Sequence, residues 1–150
     1  MTEARSADKE ALQVVREIIR RAGHELRNAL SGVSVNVEVV RSRSERVGST
    51  GELASFAERA RQQVGAATTL ADGLLSLVSS VLAAAYDGRL KAGSGNGAES
   101  QIEIMIYGDR AAAAISDIER LASAIDVHVE RRGERVILNV LPEGKGHSKD

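Results

Sequence analysis

Between Leu12 and Val40 the apolar residues fall at Leu12, Val15, Ile19, Ala22, Leu26, Leu30, Val33, Val37 and Val40. Steps of three and four sustained over so many turns leave little choice but a long helix with an apolar stripe. A competing signal lies inside it. Val33, Val35, Val37 and Val39 alternate with Ser34, Asn36 and Glu38, as in a half-buried strand. The alternation covers only about seven residues, whereas the helical stripe runs through it and beyond. The spacing therefore predicts one helix of roughly 40 residues, from about Ser6 to about Arg46, with a dip in propensity at Gly32. Val35 and Val39 widen its apolar face, as burial on more than one side requires.

Gly48-Ser49-Thr50-Gly51 breaks the pattern, and Ser49 with Glu52 matches a capping box for a second helix. That helix carries Leu53, Phe56, Ala60, Val64, Ala67, Leu70, Ala71, Leu74, Leu77, Val78, Val81 and Ala85, again in steps of three and four. Two long helices joined by a short turn form an antiparallel hairpin. A hairpin alone cannot cover both stripes, and pairing two copies as a four-helix bundle would, so a homodimer is expected.

Composition agrees with a helical start. Apolar residues are 43% of the 150 but aromatics only 2%, with one proline, so the core must be aliphatic. With no cysteine there is neither a disulfide framework nor a thiolate metal site. The net charge of −1, with both signs interspersed, is unlike a nucleic-acid binder. The charged first residues lack a signal core, and no uninterrupted apolar run approaches the roughly 20 residues of a membrane span. A cytoplasmic protein without nucleic-acid or membrane partners is expected.

Asp87 to Ser100 is rich in Gly and Ser and reads as a linker. Its GSGNG lacks the preceding strand and the Gly-Lys-Ser/Thr ending of a phosphate loop. Beyond it, Ile102, Ile104 and Ile106 alternate as a strand. Ile115, Ile118, Leu121, Ala122 and Ile125 stripe a helix over Asp109 to Ile125. Val127 and Val129, a turn at Arg131-Arg132-Gly133-Glu134, and Val136, Leu138 and Val140 complete a β-α-β-β unit. The expected fold is α+β: a hairpin over 6–87, a linker over 88–100, a small α/β domain over 101–142 and a disordered tail over 143–150.

With each residue about 100° round the helix, His24 lies about 160° from the apolar stripe. Asn28 lies as far away on the other side, and Glu25 on the flank. An exposed imidazole is a good nucleophile near neutral pH. A neighbouring carboxylate that takes the hydrogen bond from one ring nitrogen leaves the other free to attack. His128 belongs on a strand's outer face and His147 in the tail. The three histidines have no metal-ligand spacing.

His24-Glu25-Leu26-Arg27-Asn28-Ala29-Leu30 resembles the phosphoacceptor box of bacterial sensor histidine kinases, usually His-Glu-Leu-Arg-Asn-Pro-Leu. Ser31-Gly32-Val33, Glu38-Val39-Val40 and the hairpin from Glu10 to Tyr86 fit that family's dimerisation domain. Ala29 replaces a proline that commonly bends the helix, which implies a straighter one. The resemblance implies phosphorylation of His24, Glu25 as its acid/base partner, and Asn28 at a position linked to dephosphorylating a receiver. Arg20, Arg21 and Arg27 decorate the surface near His24 as candidate partner contacts.

The α/β unit resembles a reduced form of that family's ATPase domain. Gly108-Asp109-Arg110 is similar to the start of its asparagine-box helix, and Glu134 to Val140 to the strand before its glycine box. Glu119 and Ser123 replace the asparagines, Pro142 replaces the adenine-reading aspartate, and no ATP lid fits between helix and strand. About 40 residues are also too few to enclose a nucleotide. The resemblance implies a phosphorelay histidine phosphotransferase that binds no cofactor and acts on response-regulator receivers, which supply the magnesium, with a sensor kinase as a further partner. The alternatives are a non-catalytic module that binds or inhibits a kinase or receiver, and a receiver phosphatase using Asn28.

Overall fold

The computed structural model describes residues 2–44, 50–94 and 99–141. It has α+β architecture: α1 (Thr2–Ser44), α2 (Thr50–Tyr86), β1 (Leu90–Ser94), β2 (Ser100–Met105), α3 (Ala111–Ala124), β3 (His128–Arg132) and β4 (Arg135–Val140). Helix α1 runs without interruption through the alternating valines. The Ser49 cap, the Pro142 to Gly146 box, His147 and the tail lie outside the described residues.

The long helices pack as a hairpin, and close approach at its middle depends on Gly32. A Cβ there would lie 2.1 Å from Gln63 Nε2. Asn36, only 9% exposed, donates from Nδ2 to Gly32 O at 3.0 Å and to Gln63 Oε1 at 2.8 Å. The hairpin core thus contains one satisfied polar layer.

Which face is buried differs in part from expectation. On α1 the core takes Ala11, Val14, Ile18 and Ala22, while Leu12, Ile19, Leu30 and Val37 are 67%, 43%, 51% and 52% exposed. On α2 it takes Ala60, Ala67, Leu70, Leu77, Val81 and Ala84, while Val64, Leu75 and Leu82 are exposed. Each helix therefore carries two apolar stripes, the second about a quarter to a third of a turn from the first. Helix α2 is also long and apolar enough to cross a membrane, with a window of mean hydropathy 1.5 despite its scattered polar residues; 28% of that window is buried.

The expected linker over 88–100 is corrected. Helix α2 ends with Gly88 at φ 66 and Arg89 N–H donating to Ala84 O at 2.7 Å. This glycine-capped turn sends the chain directly into β1. Strand β1 pairs antiparallel with β2, Leu90 opposite Ile104 and Ala92 opposite Ile102. The order is therefore β-β-α-β-β rather than β-α-β-β, in an antiparallel sheet ordered β1-β2-β4-β3. Strand β4 lies between β2 and β3, and Gly133 at φ 63 opens the two-residue turn before it.

One apolar core joins this sheet to the helices. Ile18 of α1, Leu77 of α2, Ile118 and Leu121 of α3, and Ile104 and Leu138 of the sheet belong to it. Gly73 admits α3 against α2, since a Cβ there would lie 2.5 Å from Leu121 Cβ and 2.9 Å from Asp117 O. Ser76 Oγ donates to Asp117 Oδ2 at 2.9 Å beside it. The C-terminal end of α3 is thereby brought alongside the middle of α1.

Candidate functional site

His24 is exposed near the middle of α1, on the line furthest from both apolar stripes. Its ring has no hydrogen-bond partner among the described residues. The expected bond to Glu25 is not formed, because consecutive residues on a helix diverge by about 100° and do not face each other. Glu25 and Asn28 are exposed, and Asn28 lies one turn beyond His24.

Two hollows flank these residues. One, of about 340 Å³, is lined by Arg20, Arg21, His24, Glu25 and the corner Ala124-Ile125-Asp126 after α3. The other, of about 490 Å³, lies between Glu25, Asn28 and Ala29 of α1 and Gln63, Ala66, Thr69 and Leu70 of α2, and again touches Ala124. Glu25 and Ala124 are shared, so the two hollows adjoin. The α3 corner therefore belongs to the surroundings of His24, a feature that no spacing in the chain announces.

The corner itself is unusual. Val127 N–H donates to Ala122 O at 2.9 Å, which closes α3 in the way Arg89 closes α2. The left-handed position here is Asp126 at φ 55, where Gly88 serves in α2. Aspartate is one of the few residues that enters that region at modest cost.

The three arginines behave differently from one another. Arg27 is exposed and lines a third shallow hollow with Gly23, Leu26, Leu30, Ser31 and Ser34. Arg20 donates to both carboxylate oxygens of Glu17, at 2.9 and 3.0 Å. Arg21 is turned inward, its side chain 19% exposed. It donates from Nε to Glu17 Oε1 at 2.8 Å, from Nη2 to Leu141 O at 2.8 Å and from Nη1 to Asp126 O at 3.5 Å. The Arg20 hydrogen bond, with that of Arg21, holds the Glu17 carboxyl down at about 2, against the smaller opposing effect of burial. Glu119 and Ser123, at the asparagine positions of the ATPase resemblance, are half-buried and exposed on α3.

An exposed imidazole beside an open hollow, with no hydrogen-bond partner among the described residues, can act as a nucleophile towards an electrophile carried by another molecule. No family model and no curated protein matches the chain.

Proposed function

We propose that the protein is a phosphorelay histidine phosphotransferase, which takes a phosphoryl group from the aspartate of one receiver domain onto His24 and delivers it to another without using ATP. The presentation of His24 carries this reading: an imidazole with no hydrogen-bond partner among the described residues, on the outermost line of α1, in the segment His24 to Leu30. In the forward step a ring-nitrogen lone pair attacks phosphorus of the aspartyl phosphate. The P–N bond forms as the P–O bond to the aspartate breaks, and the carboxylate leaves with the electron pair. As the ring becomes positive the second ring nitrogen releases its proton to water, with the Glu25 carboxylate lining the same hollow but not bonded to the ring. Delivery to the next receiver is the reverse of this exchange. The magnesium that shields the phosphoryl oxygens belongs to the receiver.

The functional unit in this reading is a homodimer. Its support is the second apolar stripe of each long helix, Leu12, Ile19, Leu30 and Val37 with Val64, Leu75 and Leu82. Isolated exposed apolar residues are ordinary, but residues repeated at steps of seven and eleven along two packed helices make stripes of the kind that a bundle covers. His24 faces away from those stripes and stays open to a receiver.

A panel of purified receiver domains, each charged with labelled acetyl phosphate, tests the assignment. Label should move to the chain from at least one receiver, and His24→Ala should abolish it. Release of inorganic phosphate that survives His24→Ala but not Asn28→Ala would instead make the protein a receiver phosphatase. Tight binding with no movement of label would make it an interaction module.

A further inference from the structure

We infer that Arg21 is a positioning residue: it fastens the corner between α3 and β3 to α1 beside His24, so that the hairpin and the α/β unit present one surface to a receiver. The inference rests on the phosphotransfer reading proposed above.

Arg21 stands one turn before His24 and lines the same hollow. Its guanidinium donates to Leu141 O, just beyond β4, at 2.8 Å and makes a longer contact of 3.5 Å with Asp126 O, just beyond α3. Each follows the end of a regular element, where carbonyls lack ladder or helix partners. A planar fork with several fixed donors can serve both at once, and an ammonium on a flexible stem cannot hold the same geometry. Glu17 anchors the fork from the opposite side through Nε. The arrangement forms a chain Glu17–Arg21–Asp126/Leu141 that couples the turn of α1 preceding His24 to the left-handed corner at Asp126.

Other contacts hold the rest of this region: Gly73 and Ser76 meet α3 at Leu121 and Asp117, and Ile125 and Val127 on either side of the corner are buried in the core. Asp126 between them is exposed, and Arg21 adds the polar contact at its carbonyl. Ala124 contributes to both hollows. A corner that moves therefore changes the hollow beside His24 and the adjoining one beside Asn28.

The test pairs two measurements on the full chain and its Arg21→Gln and Arg21→Lys variants. In native-state amide exchange, Arg21→Gln should accelerate Val127 about tenfold relative to Ile104 in the sheet core, with Arg21→Lys intermediate. In transfer from a charged receiver, Arg21→Gln should raise the receiver KM by about tenfold while the rate at saturation stays within about twofold. Uniform acceleration of all slow amides, an unchanged KM, or a fall in the saturated rate at constant KM would each overturn the positioning role. Should no receiver transfer label to the wild-type chain, the phosphotransfer reading fails, and with it the use to which the clamp is put. The exchange measurement alone still decides whether Arg21 fastens the corner.

Discussion

Gly32 and Gly73 each permit a close approach, yet they should tolerate a methyl group very differently. At Gly32 the obstructing atoms are the far end of Gln63, which can swing aside. Alanine there gains about 1 kcal/mol of helix propensity and loses the Asn36–Gln63 bond of similar worth, so Gly32→Ala should unfold within about 1 kcal/mol of wild type. At Gly73 the obstruction is Leu121 Cβ and a main-chain oxygen, neither of which can move without shifting α3. Gly73→Ala should lose about 1–3 kcal/mol, read from denaturant midpoints. Glu17 adds a pH dependence. Its carboxyl titrates at about 2 in the folded protein against an ordinary value of 4.5, so its contribution to stability is fully present above about pH 4.5 and is lost as pH falls towards 2. The difference in Tm between wild type and Glu17→Gln should therefore be larger at pH 6 than at pH 2.5, and a constant difference would refute the linkage. At this scale the sequence was only partly legible. The outward placement of His24 and Asn28 follows from helical geometry alone, whereas the same geometry put Glu25 on the flank. The burial of Asn36 and the inward turn of Arg21 do not follow from it, because each depends on a partner far along the chain.

Among the elements, the two long helices were the most readable, since a three-four period sustained over many turns outweighs a short valine alternation. What periodicity could not settle was which stripe meets which neighbour. Leu12, Ile19, Leu30 and Val37 are spaced as core residues, and within a single chain they face outward. Two stripes per helix leave the assignment open until the packing of α3 and the sheet takes one of them. If the second stripe is a dimer seam, Leu75→Glu with Leu82→Glu should convert a dimer to a monomer in sedimentation equilibrium without loss of helicity. A wild-type chain that sediments as a monomer at micromolar concentration would contradict the bundle. Strand β1 was missed for the opposite reason. Leu90–Ser94 has linker composition, and only Leu90 and Ala92 facing Ile104 and Ile102 across the pair make it a strand. Tertiary pairing there overrides local preference.

For the molecule as a whole, the continuous core is the feature that bears most on function. The α/β unit is set against the hairpin through Ile18, Leu77, Ile118 and Leu138, and its α3 corner stands beside His24. The α/β unit is thereby built into the surroundings of the imidazole and can shape what docks there. The order of the later elements was legible from their alternation and their stripe; their place beside His24 was not, because it arises from Gly73, Arg21 and the shared core rather than from any local pattern. The most direct measurement of the central claim is a phosphorus NMR spectrum of the chain after incubation with phosphorylated receivers. Wild type should show one acid-labile phosphoimidazole resonance and His24→Gln none, with the circular dichroism of the variant unchanged because the residue is exposed. No such resonance with any receiver, or one that persists in His24→Gln, would contradict the claim.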